Sequence, residues 1–200
     1  MNTYKFTTKL AAIVALFSIS CFSIGDSLNP LIDSFSDPEN NSLGNPRQFV
    51  TDTVAGGNTT AEQQVSKGVL LVKGEIVPPR GQPGWASSVL LLDPQGLAKD
   101  ASAFDGLVLR VKLTKGSLSV SANSTEVTNF DYHAAPIAVK ADGNFHELKI
   151  PFSSMKRAWS EQTALNSKTI ASFSIVAFGL QKESFEFELD DISFYSLNTK

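Results

Sequence analysis

In this chain apolar residues recur at every second position in short runs, and no segment sustains a helical stripe of ~3.6 residues. Gly106–Thr114 (GLVLRVKLT) shows it best. Leu107, Leu109, Val111 and Leu113 fall on one face, and Val108, Arg110 and Lys112 on the other. From about Leu28 onward such runs are separated by Gly, Pro, Asn and Asp. Gly68–Val77, Ala86–Asp93, Ser117–Asn123, Phe145–Pro151, Ala171–Leu180 and Ser184–Tyr195 read as further strands. Many short strands joined by turn residues predict an all-β fold, a two-sheet β-sandwich or jelly roll. Closure into two packed sheets also protects strand edges.

Local patterns refine this. Leu118 and Val120 alternate with serines. Ala171–Leu180 is apolar or small on both faces, which predicts a central strand covered on both sides. Asp142-Gly143-Asn144 is a tight-turn signal between Ile137–Lys140 and Phe145–Ile150. Leu97–Phe104 and Ser153–Trp159 each have room for a helical turn or two. In the last strand Phe185, Phe187 and Leu189 share a phase that Ile192 and Phe194 do not. Period-two alternation shifts only where a residue is inserted, so a bulge is expected at Asp190-Asp191. No internal repeat occurs, and the loop-rich stretches Asp37–Gly44 and Val77–Gly84 do not read as domain linkers.

The N-terminus reads as an address. Lys5 and Lys9 precede the apolar run Leu10–Phe17, and Ser18–Gly25 is rich in small residues. The run is shorter than the ~20 residues a membrane span needs. Residues 1–25 are therefore expected to be a secretory signal, cleaved after Ser23 or Gly25, and residues 26–200 a single exported domain. Ser18-Ile19-Ser20-Cys21 partly matches a lipoprotein signal, so lipid anchoring through Cys21 is the alternative. Cys21 is the sole cysteine, which excludes disulfides, zinc thiolates and a cysteine nucleophile from the domain. Loss of the two lysines takes the net charge from −3 to −5. With no basic cluster, the composition argues against nucleic acid and anionic membranes as partners.

Three stretches, taken in order, resemble a known family. They are Asp52-Thr53-Val54-Ala55-Gly56-Gly57-Asn58, then Gly68–Gly74 followed by Gly84-Trp85-Ala86-Ser87-Ser88, and finally Phe145–Phe152 (FHELKIPF) with Phe185–Ile192 (FEFELDDI). Together they resemble the complex I intermediate-associated protein 30 family, over roughly Leu31 to Tyr195. Trp85 stands where the family more often has Phe. The resemblance implies a galactose-binding-like β-sandwich, similar to carbohydrate-binding modules of family 11, and a binding role. The family's other role, assembly or scaffolding through contact with another protein, is the alternative.

The residues themselves offer little catalysis. His133 and His146 are the only imidazoles, and His146 shares the face of Leu148 and Ile150, as a structural histidine would. No nucleophile elbow, zinc-protease motif or P-loop occurs, and Gly56-Gly57 lacks the rest of a dinucleotide fingerprint. The chain is expected not to be an enzyme. A sugar binder needs aromatic faces for stacking and planar polar groups for hydroxyls. The candidates are Trp85, Phe130, Tyr132 and Trp159, with Arg80, Asn123, His133 and Arg157 as polar partners. Phe130 and Tyr132 would point one way on an extended segment, and Tyr132 with His133 is the first choice. Each Trp alone also fits a core or loop anchor. By resemblance to related modules, a structural calcium is expected where the first and last strands meet, on Asp33, Asp190 and Asp191, with Asp37 and Glu39 nearby. No other cofactor is expected. Asn40, Asn58 and Asn123 begin glycosylation sequons.

Overall fold

The computed structural model describes residues 28–197, so the signal segment and Cys21 lie outside the described residues. Its strands, in chain order, are β1 (Leu31–Asp33), β2 (Gln48–Thr51), β3 (Thr60–Ser66), β4 (Val69–Ile76), β5 (Gly84–Leu91) and β6 (Gly106–Lys115). They continue with β7 (Ser117–Ser124), β8 (His133–Pro136), β9 (Phe145–Pro151), β10 (Lys156–Arg157), β11 (Ile170–Gly179) and β12 (Glu183–Tyr195). Two antiparallel sheets result. One runs β3-β4-β12-β6-β9, with β1 also on β12; the other runs β10-β8-β7-β11-β5-β2. Among the described residues no helix is long and apolar enough to cross a membrane.

The core lies between the sheets. Period-two alternation delivers Leu107, Leu109, Val111 and Leu113 from β6, and Leu118, Val120 and Ala122 from β7, all buried. Four phenylalanines close one region of it. Phe104 stacks on Phe194 with ring centroids 4.6 Å apart, Phe173 meets Phe194 edge-on at 5.8 Å, and Phe152 lies parallel to Phe173 at 6.1 Å.

The phase slip in the last strand is a bulge. Leu189 faces Val111 and Asp191 faces Arg110, which leaves Asp190 as the extra residue. Leu189, Ile192 and Phe194 are all buried as a consequence. The bulge falls where β12 changes neighbour. Residues Glu183–Leu189 pair with β4, and Ile192 and Ser193 pair with β1.

Three local readings are corrected. Ile137–Lys140 is no hairpin strand, because Phe145–Pro151 pairs with β6 in the other sheet and residues 137–144 cross between sheets. The turn survives within that crossing: Gly143 has φ +72° and the Asn144 N–H donates to Asp142 Oδ1 at 3.0 Å. Leu97–Phe104 forms no helix; Lys99 bridges Ile170 instead. A single 3-10 turn, Phe152–Ser154, precedes the short β10. Strand β11 is central, between β7 and β5, but its second face is the floor of a groove and not a covered layer.

Candidate functional site

A groove of about 840 Å³ crosses the outer face of the second sheet. Its floor comes from the residues that alternate with the core. β7 gives Ser119, Ser121 and Asn123, β11 gives Ser174, Val176 and Phe178, and β5 gives Trp85 and Ser87. Antiparallel register sets these side by side. Trp85 faces Phe178, Val176 lies between Ser87 and Ser119, and Ser174 faces Ser121. Short serine side chains keep the middle low. Gln82, Pro83 and Trp85 raise one wall, and Tyr132, Ala158 and Trp159 the other. Asn123 Nδ2 donates to Ser172 Oγ at 2.9 Å and Ser174 Oγ at 3.1 Å, which fixes its amide. Ser121 Oγ is buried and has no hydrogen-bond partner.

A buried aspartate stands behind each wall. Asp52, in the 3-10 turn Asp52–Ala55, is 1% exposed. Its carboxylate accepts from the Thr59 N–H (3.0 Å), the Thr59 hydroxyl (2.7 Å) and the Trp85 N–H (3.1 Å). These charge-assisted bonds fix the start of β5 and so the backbone that carries Trp85. Gly57 is required beside it, because a Cβ there would stand 2.2 Å from Asp52 Cγ. The Asp…Gly-Gly stretch is thus a carboxylate clamp and its clearance.

Asp131 does the same opposite. Oδ2 accepts from Arg157 Nε (2.8 Å) and the Ser160 N–H (3.0 Å), and Oδ1 from the N–H groups of Tyr132 (2.8 Å) and Ala158 (3.0 Å). Burial opposes its charge, but the Arg157 and Ser160 hydrogen bonds and the backbone donors outweigh that and hold the carboxyl well below the usual carboxylate range. The clamp sets Trp159 against Tyr132, edge to face, with centroids 5.2 Å apart. Burial, then the Asp131 charge, raise the Tyr132 phenol, so it stays a neutral donor. The groove lining holds no carboxylate, imidazole, amine or guanidinium.

Of the residues singled out in the sequence, Trp85, Asn123, Tyr132 and Trp159 line this groove. Arg80 does not; it is exposed in the turn before Gln82 and Pro83. Phe130 does not either. Its backbone is left-handed, φ +62°, so the segment is not extended and Phe130 and Tyr132 part ways. His133 begins β8 and turns to the core side, 2% exposed, where its Nε2–H donates to the Thr163 carbonyl at 3.0 Å. Arg157 is held by Asp131. His146 pairs with Asp142 at 2.8 Å, in the crossing between sheets. The serine floor was missed, although serines alternating with core residues on two central strands were its signal: a solvated outer face would carry charges there.

The carboxylates expected to hold calcium do not form one ligand set. The first and last strands do meet, Asp33 facing Ile192. But Asp33 is buried and takes Arg47 in a fork, Nε to Oδ2 at 2.5 Å and Nη2 to Oδ1 at 2.8 Å. Asp190 pairs with Arg110, and Asp191 accepts from the Ser193 hydroxyl at 2.6 Å. Among the described residues no three His, Cys, Asp or Glu side chains converge as metal ligands.

Known proteins share this architecture. A family 11 carbohydrate-binding module of the cellulosomal cellulase Lic26A-Cel5E of Clostridium thermocellum superposes with TM-score 0.60 at 17% identity, over 83% of this chain and 93% of the module. A family 11 module from Clostridium thermocellum, in complex with a β-1,3-1,4-mixed-linked tetrasaccharide, gives 0.59 at 16%, over 84% and 95%. The agarase AgWH50C gives 0.57 at 10%, over 85% of this chain but 26% of the agarase. No curated relative matches in sequence. The family model of complex I intermediate-associated protein 30 matches residues 34–190, which takes in both aspartate clamps and every strand of the groove, and the chain belongs to that family.

Proposed function

We propose that this is an exported, non-catalytic protein that binds a neutral saccharide chain along the groove of the second sheet. The observation that carries the reading is the make-up of that groove: aromatic walls, a floor of hydroxyls and one carboxamide, and no ionised side chain. Sugar rings offer apolar faces to indole and phenol, while their hydroxyls need small neutral donors and acceptors. Hydrolysis of a glycosidic bond needs a pair of carboxylates across the cleft, and the lining supplies neither, which favours binding over turnover. The tetrasaccharide held by a module of this fold supports the ligand class. Export rests on the N-terminal segment, and mass spectrometry of the mature N-terminus separates cleavage after Ser23 or Gly25 from lipidation at Cys21.

Titration calorimetry against a panel of neutral oligosaccharides and soluble polysaccharides tests the reading. Folded protein that takes up none of them would overturn it. A ligand that binds the wild type and Trp85→Ala equally would move the site elsewhere.

A further inference from the structure

Phe130 is 94% exposed and stands at φ +62°, a conformation that bulky L-residues avoid. The side chains of both flanking residues are tied down. Asn129 donates through Nδ2 to Ser160 Oγ at 2.9 Å and accepts at Oδ1 from Arg157 Nη2 at 3.1 Å, and Asp131 is the four-donor clamp described above. The segment around Phe130 and the segment carrying Trp159 are therefore fixed side by side. Trp159 is itself 60% exposed and meets Tyr132 inside the groove. Phe130 and Trp159 thus each adjoin one partner of the Asn129–Ser160 hydrogen bond, which puts two exposed aromatic residues on neighbouring segments at this side of the groove. Arg157, which donates to the neighbouring Asn129, is committed to Asp131 and is not a free cation for an anionic partner.

We infer that Phe130 is an outer stacking platform for the same saccharide chain, engaging units that extend past the Tyr132–Trp159 wall. This rests on the reading of the groove as a saccharide site. A phenyl ring has no polar handle, so the platform adds affinity for long chains and little discrimination among them.

Calorimetry with a ladder of β-1,3-1,4-mixed-linked gluco-oligosaccharides, from the trisaccharide upward, tests this on wild type, Phe130→Ala, Phe130→Leu, Phe130→Trp and Trp85→Ala, each checked for fold by circular dichroism. Phe130→Ala and Phe130→Leu are expected to match wild type on the shortest chain bound and to bind the longest about fivefold more weakly. Phe130→Trp should retain long-chain affinity, and Trp85→Ala should weaken every length. If the Phe130 variants equal wild type throughout while Trp85→Ala is impaired, the platform is overturned and the groove stands. If Phe130→Leu matches wild type where Phe130→Ala does not, the contact is a general apolar one, as a protein partner would make, and stacking is overturned. If wild type binds no member of the ladder, the platform for this chain is overturned, and the groove reading falls with it only if the wider panel of neutral saccharides is refused as well.

Discussion

Gly57 has no room for a side chain. Its missing Cβ is filled by the Asp52 carboxylate, which is buried and holds the Trp85 N–H. Gly57→Ala is expected to cost about 1–3 kcal/mol, as overpacking does, read by urea denaturation. Asp52→Ala leaves the Thr59 and Trp85 donors unmet and should cost about 3 kcal/mol, with a loss of ligand affinity through the freed Trp85 backbone. For the rings, Trp85→Ala and Tyr132→Ala should each lower saccharide affinity at least ~10-fold, about 1.4 kcal/mol, with the fold intact. The motif around Asp52 was visible in the sequence, and so were both tryptophans. What the clamp is for was not, because Trp85 reaches Asp52 only once β5 is laid beside β2.

Among elements, the loop carrying Trp159 and the last strand make the sharpest claims. The Asp131 carboxyl titrates lower in the folded chain than its unfolded value of about 3.9. Its stabilisation is therefore whole above that value and drains away as pH falls through the folded one. Wild type should lose stability below about pH 4, and Asp131→Asn should show a shallower dependence there from a lower starting point. Urea melts at pH 5, 4 and 3 would show it. Asp131→Ala strands Arg157, whose side chain is 11% exposed, and should cost about 3–5 kcal/mol. In β12, deleting Asp190 restores an unbroken alternation from Phe185 to Phe194, so every apolar side chain keeps its face. The variant should fold, with the cost confined to the lost bend and the exposed Arg110 pair, as thermal melts would report. The slip itself was readable because alternation is strict on a half-buried strand. The change of neighbour from β4 to β1 that it accompanies was not, since pairing partners leave no mark in local pattern.

At the scale of the whole molecule the two outer faces differ. The first sheet carries ion pairs such as Lys73–Glu62 and Lys112–Glu188, with Arg110 and Lys112 over the Phe145 ring. It is a solvated surface on which single pairs contribute little. The second sheet presents the uncharged groove. Saccharide affinity should therefore be unchanged between low and high salt and flat from about pH 5 to 9, and uronate-rich chains should gain nothing at low salt. Calorimetry across salt and pH checks this; a steep salt slope would point to a charged contact outside the groove.

The sequence by itself determined seven of the strands, the side of each that faces the core, and the bulge, but not β3 or the short strands β1, β2, β8 and β10. The features it did determine follow from period-two burial and from residue types, which act over a few neighbours. Only the tertiary structure decided that Trp85 lies beside Phe178, that serines of three strands merge into one floor, and that Phe130 leaves the side of Tyr132. A groove is a property of register between strands far apart in the chain and of a single left-handed residue between two others. Neither is encoded in the periodicity of any one segment.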